Sequence, residues 1–182
     1  TALTEGLDHL VVAASGADAT APWSKLGLRL TGSRPHARLG TASSVLFVGE
    51  GQRQSYVEFV AITNRLQAEA SGTRVSLLAA LAAGRALYRL SFRTADAQAA
   101  TQQLGPFAGE PYEVRRDDGS LVGTVVAIGE DAELGCDVSL IQYAPDLPER
   151  RAARSPYLAH ELPLRRLDHV AIISHNLELS AR

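Results

Sequence analysis

Short apolar runs of strand length, each closed by glycine, proline or serine, recur along the whole chain. LDHLVVAA (7–14) is β-branched at Val11 and Val12 and runs into a Ser-Gly turn, which predicts a buried strand. ADATAPWSKL (17–26) predicts a short helix with Asp18 as its cap, Trp23 and Leu26 on one face, and Gly27 as its stop. Leu28 to Thr31 predicts a short strand, followed by the breaker-rich loop GSRPHARLGT. SSVLFVGE (43–50) and SYVEFVAI (55–62) predict a hairpin turning over Gly49 to Gln54. The order to this point is β-α-β-β-β.

A connecting segment follows over 64–85, with a helix from Val75 to Arg85 whose VSLLAALAA run is strong in helix formers. The order then returns. LYRLSFRT (87–94) reads as a strand, ADAQAATQQLG (95–105) as a helix ended by glycine, and YEVRRDDG (112–119) as a strand into a turn. LVGTVVAIGE (121–130) and CDVSLIQYA (136–144) form the last pair. The second unit repeats the first at a period of roughly 80 residues. Residues 146–166, rich in proline and arginine with little apolar periodicity, read as a linker. LDHVAIIS (167–174) then restates the opening strand and its Asp-His pair.

Composition narrows the class without choosing it. The 182 residues suit one domain with a tail, and the apolar share of 46% and charged share of 21% are those of an ordinary globular protein. A net charge of -2 points to neither nucleic acid nor a membrane surface, and the arginines of 146–166 read as a solvated face because no aromatics interleave with them. No apolar run approaches the ~20 residues that span a bilayer, and no signal peptide opens the chain. Cys136 is the single cysteine, reads as structural, and fits a reducing cytoplasm. The chain lacks methionine and has Lys25 as its one lysine. These features suggest a processed or cut product of a GC-rich bacterial genome.

The opening LDHLVVA, a helix ending in KLGLRL, the loop PHARLGTAS and the strand SYVEFVAI together resemble the vicinal oxygen chelate superfamily, closest to its glyoxalase-like domain subgroup. That superfamily holds glyoxalase I, bleomycin-resistance proteins and extradiol-type dioxygenases. The resemblance covers residues 5–145 and implies an α+β fold, in which modules 5–63 and 86–145, each βαβββ, pair into a curved mixed sheet. The sheet surrounds a central cup, with the helices outside. It also implies metal ligands on the first and last strand of each module, where inward side chains meet.

His9 and Glu58 fall on the family's ligand positions in the first module, with Glu58 also the implied general base. In the second module, aligning LYRLSF under LDHLVV places Arg89 at the first-strand position, and the last strand offers Gln142. Arginine has no lone pair for a metal, and Gln142 is at best a weak neutral ligand. The expectation is therefore no cofactor here, since His9 and Glu58 make an incomplete set for iron, zinc, nickel or manganese. Arg89 would pair with Glu58 and offer its remaining donors to a small anionic ligand, with Gln142 and the loop residue His36 as further substrate contacts. Asp8 reads as a strand-edge hydrogen bonder.

Residues 167–182 read as the first strand of a second, truncated copy, with His169 as its first-strand ligand. Three functions follow from the resemblance. The first is the N-terminal, metal-poor half of a two-domain dioxygenase-like protein. The second is a single-domain glyoxalase-type lyase or isomerase acting on a small substrate with vicinal oxygens. The third is a non-catalytic small-ligand-binding module of the resistance type. An apolar strand lacking its own sheet also predicts a homodimer or strand-swapped pair.

Overall fold

The computed structural model describes residues 2–14, 16, 20–49, 54–71, 75–84, 86–116, 118–128, 136–145 and 148–171. The proposed cap Asp18 and residues 172–182, with the end of the repeated LDHVAIIS segment, lie outside them. The first module comprises β1 (Gly6–Ala14), α1 (Ala21–Lys25), β2 (Arg34–His36), β3 (Thr41–Val48) and β4 (Ser55–Ile62). Helices α2 (Arg65–Ala70) and α3 (Val75–Ala82) connect it to the second. That module holds β5 (Leu87–Arg93), α4 (Ala97–Leu104), β6 (Tyr112–Arg115), β7 (Leu121–Ile128) and β8 (Asp137–Tyr143), and α5 (Pro148–Arg154) follows.

All eight strands form one curled mixed sheet in the order β2-β3-β4-β1-β5-β8-β7-β6. Each module is the mirror of the other in this order: β1 pairs parallel with β4, and β5 parallel with β8. The modules meet at the antiparallel β1–β5 seam. Among the described residues, no helix is long and apolar enough to cross a membrane.

Two local expectations change. Leu28 to Thr31 is not a strand, and the second strand lies instead at Arg34–His36, inside the stretch expected to be loop. Pro35 lacks an N–H to give to a sheet, but β2 is an edge strand paired only with β3, where that loss is tolerated. A turn over 37–40 makes the pairing possible. Gly40 has φ +62, and a Cβ there would run into the Asn64 carbonyl at the start of α2. The segment read as linker also carries structure, namely α5, a 3-10 turn at Ser155–Tyr157 and an extended strap. Leu164 and Leu167 of the strap pack on the first module's core. His160 pins the strap: its Nδ1 accepts from the Arg29 amide at 2.9 Å, so its Nε2 donates to the Phe47 carbonyl at 2.8 Å. Residues 167–171 pair with no strand.

Alternation along the strands sorts side chains to two faces. Val12, Ala14, Val57, Phe59, Leu46 and Leu28 form a core on the outer face, where Trp23 of α1 meets Phe59. Phe92, Val126 and Leu140 carry α4 through Ala97 and Ala100 on that same face of the second module. The helices belonging to the modules thus lie outside, as expected. The connecting helix does not. Leu77 of α3, fully buried, packs with Val11, Val60 and Tyr88, and Val11 and Val60 have the opposite parity, that of the cup. With Leu77 and Leu81 apolar and one turn apart, α3 covers one end of the inner face.

A buried anion joins the modules. Asp8 is 1% exposed, and its Oδ1 accepts from both Nε of Arg93 at 3.0 Å and Nη2 at 2.5 Å, two charge-assisted bonds converging on one oxygen across the seam. Its Oδ2 accepts from the Tyr143 hydroxyl on β8 and lies 2.7 Å from Nδ1 of His9. Tyr56 of β4 closes the group, its hydroxyl 3.3 Å from that of Tyr143. Burial raises the Asp8 pKa, but the hydrogen bonds from His9 and Tyr143 and the charges of His9 and Arg93 outweigh it and hold the group below its ordinary value.

Two outcomes are expected. Replacing Leu77 by Ala should remove about 2–5 kcal/mol, read as a lower urea midpoint at unchanged slope; a change within about 0.5 kcal/mol would mean that α3 does not pack on the inner face. The Asp8 pKa is lower folded than unfolded, so its ionisation stabilises the fold above about pH 4, and that contribution is lost as pH falls through the folded value. Asp8→Asn should therefore be destabilised by about 3–5 kcal/mol at pH 7, with the gap to the parent narrowing toward pH 3. Urea melts at both pH values measure it, and a gap independent of pH would refute the assignment.

Candidate functional site

The inner face at the seam collects the polar residues. Val11 of β1 is in register with Glu58 on one side and Arg89 on the other, so Glu58, Val11 and Arg89 form one row across three adjacent strands. Strand spacing puts the backbones of Glu58 and Arg89 about 10 Å apart. His9 lies one step along β1 on the same face, opposite Tyr56 on β4 and Ser91 on β5. Its ring stacks on Tyr56 with centroids 4.3 Å apart and planes within 7°. His9, Glu58 and Arg89 are therefore brought to one face.

The ion pair expected there is different. Arg89 is half-buried and binds Asp137 through Nη2 at 3.2 Å, and the same nitrogen lies 3.3 Å from the Tyr88 hydroxyl, whereas Glu58 was the expected partner. Asp137 is the parallel neighbour of Arg89 on β8 and so takes the place that Tyr56 takes beside His9. Burial works against the Arg89 charge, but Tyr88, Tyr112 and Asp137 outweigh it and hold its pKa above the ordinary value. Nε of Arg89 is buried without a hydrogen-bond partner among the described residues.

Gln142 is turned away from the cup. It has the parity of Leu140, and its Oε1 accepts from the Ala97 amide at 2.9 Å, helping to cap α4 on the outer face. The register shows which residue takes the fourth position. Glu58 pairs two steps along from the His9 position, and two steps along from Arg89 the β8 partner of Ser91 is Ser139. Ser139 donates to Ser91 at 3.2 Å, both buried, directly beside His9. The parity of SLIQY carried this signal, because Ser139, Ile141 and Tyr143 share one face and Leu140 and Gln142 the other. His36 is on the inner face at the sheet edge, with Nδ1 3.0 Å from the Thr41 hydroxyl and Nε2 3.2 Å from that of Ser43. It stiffens the rim rather than projecting from a loop.

Metal ligation needs lone pairs. The four equivalent positions carry His9, Glu58, Arg89 and Ser139, of which the first two are good donors. Among the described residues no group of three His, Cys, Asp or Glu side chains could hold a metal ion. The residues present do not fit a resident ion of the kind the superfamily often uses. A cavity of about 20 Å³ between Ala14, Thr20, Ser44, Phe59 and Ala61 has room for water only and lies on the outer side of the sheet.

Comparison with solved structures places this sheet among proteins of known fold. A methylmalonyl-CoA epimerase from Mycobacterium tuberculosis is 20% identical with a TM-score of 0.54, over 84% of this chain and 95% of that one. A Streptomyces coelicolor methylmalonyl-CoA epimerase in complex with 2-nitronate-propionyl-CoA is 16% identical with a TM-score of 0.54, over 78% and 99%. A hypothetical protein from Bacillus halodurans is 15% identical with a TM-score of 0.55, over 78% and 96%. At such identities the likeness is one of fold, the vicinal oxygen chelate arrangement. No curated protein matches the chain. The glyoxalase-like domain family matches residues 7–182, running on through the strap and the second Asp-His pair, and the chain belongs to that family.

Proposed function

We propose that this domain is a glyoxalase-type isomerase or lyase that works without a metal, on a small anionic substrate bearing oxygens on adjacent carbons. The observation that supports the reading is the register row Glu58–Val11–Arg89 with His9 one step along β1, which sets one carboxylate, one guanidinium and one imidazole on the same face of the sheet. Arg89 holds the anionic end of the substrate and the charge that develops on its oxygen. Glu58 removes the proton from the carbon beside the carbonyl and returns it to that carbon or its neighbour. His9 accepts a hydrogen bond from the substrate hydroxyl at Nε2. Leu77 of α3 packs on Val11 in the middle of that row, which favours a small substrate over a long one. The fold likeness to proteins named methylmalonyl-CoA epimerase, by name isomerases, supports the class.

A second reading, the first half of a two-domain dioxygenase-like protein, is favoured by one observation. Asp168 and His169 repeat the Asp8–His9 contact, Oδ2 to Nδ1, at 3.1 Å. On that reading Asp168 and His169 open a further copy, and the catalytic set belongs to it. A binding module of the resistance type would use the same cup and show affinity without turnover.

Deuterium exchange separates these. In D2O, small 2-hydroxy and 2-oxo acids and methylmalonyl thioesters should include a compound that gains deuterium at the carbon beside its carbonyl, with or without chelator present. Glu58→Gln should slow that exchange by about 10²-fold or more while the compound still binds. Binding without exchange would leave the binding module, and exchange that stops on chelation would defeat the metal-free assignment.

A further inference from the structure

Successive side chains of a strand point to opposite faces, so adjacent residues do not normally touch through their side chains. Asp8 and His9 do, at 2.7 Å. The pairing of β1 with β5 shifts register between Leu7 and His9, and this irregularity turns the Asp8 carboxylate back toward the ring. We propose that Asp8 is a positioning residue that fixes His9 as the Nδ1–H tautomer, so that Nε2 carries the lone pair for the substrate. The proposal rests on the reading of His9 as part of the site.

Three features support it. A carboxylate held by two N–H bonds from Arg93 to Oδ1 accepts and does not donate, so the Asp8–His9 contact requires the proton on Nδ1. Asp8 cannot swing away, because Arg93 grips Oδ1 and the Tyr143 hydroxyl donates to Oδ2 at 2.7 Å, with the Arg93 guanidinium 5.4 Å above the Tyr143 ring. The ring of His9 cannot rotate freely either, being stacked on Tyr56, whose hydroxyl is itself tied to Tyr143. A salt bridge between the modules would need only Asp8 and Arg93; the carboxylate is in addition aimed at the imidazole. Asp168 and His169 make the same adjacent contact at 3.1 Å and Arg166 also pairs with Asp168 at 2.6 Å, but all three side chains are largely exposed, whereas Asp8 and His9 are buried. The chain thus carries its own control.

Long-range 1H–15N correlation on the uniformly labelled full chain, at a pH where the imidazoles are neutral, reads the tautomer directly. His9, assigned by loss of its signals in His9→Gln, should show a protonated Nδ1 and an unprotonated Nε2, while His169 shows averaged signals. A protonated Nε2 on His9 in the parent protein overturns the proposal. In Asp8→Asn, Arg93 keeps the amide oxygen and the NH2 faces the ring, so the two nitrogens should exchange roles. A folded Asp8→Asn that retains the parent tautomer overturns the proposal too. Should that variant not fold, the parent spectrum and Tyr143→Phe decide. Tyr143→Phe leaves the Asp8–His9 contact intact and should keep the parent tautomer; a switch in it would transfer the holding role from Asp8 to Tyr143 and overturn the assignment. The spectrum is independent of turnover. A correct tautomer without deuterium exchange sinks the functional reading alone, and exchange with the wrong tautomer sinks this one alone.

Discussion

A carboxylate with essentially no exposure at the joint between two half-sheets constrains much of what surrounds it. Asp8 ionised in an apolar interior would be costly to bury, and the fold offsets that cost with hydrogen bonds from both modules. Arg93 at the end of β5 and Tyr143 at the end of β8 come from the second module, and His9 from Asp8's own strand. The seam therefore has one satisfied register. A slip by a single residue would turn Asp8 toward the opposite face and strand Arg93 and Tyr143. What fixes the seam also fixes the inner face, because His9, Val11 and Ser91 are set by the same pairing.

The duplicated halves use their equivalent positions differently. Module one retains His9 and Glu58, both with lone pairs to give. Module two has Arg89 and Ser139, a fixed cation and a neutral hydroxyl; Arg89 meets Asp137 through Nη2 alone, and Ser139 donates to Ser91. Charge across the cup is consequently asymmetric, with an acid on the β4 side and a guanidinium on the β5 side of Val11. An anion with a removable proton fits such a gradient better than a neutral molecule does, since its charge goes to one wall and its acidic carbon faces the other.

Much of the architecture was legible in the sequence because strand periodicity and the repeated order of elements are local signals. The strands around LDHLVVAA, SYVEFVAI, LYRLSFRT and CDVSLIQYA lie close to where their patterns place them. That His9, Glu58 and Arg89 share one face was legible through their offsets from those strands. Gln142 was misplaced because an apolar run such as SLIQY aligns almost equally well at several registers, and only parity separates its faces. The role of Asp8 was hidden for a different reason. Its partners Arg93 and Tyr143 are 85 and 135 residues away, and nothing local to LDH announces them. Helix α3 was visible as a helix, but its inner location depends on Val11 and Val60 leaving apolar surface exposed inside the cup.

That apolar surface ties the helix to the chemistry. A cup lined wholly by polar residues would stay full of water, and charges within it would be screened. With Val11, Val60, Tyr88 and Leu77 closing one end, the face around His9 and Glu58 borders a dry wall, where the field of Arg89 reaches further than it would in solvent. The strap adds to the enclosure from the rim. Its His160 holds the Phe47 carbonyl, Phe47 leans on Tyr56 at 5.9 Å, and Tyr56 is the surface on which His9 rests. The segment beyond β8 thus connects through one hydrogen bond and two ring contacts to the imidazole of His9. Its packing therefore bears on the site.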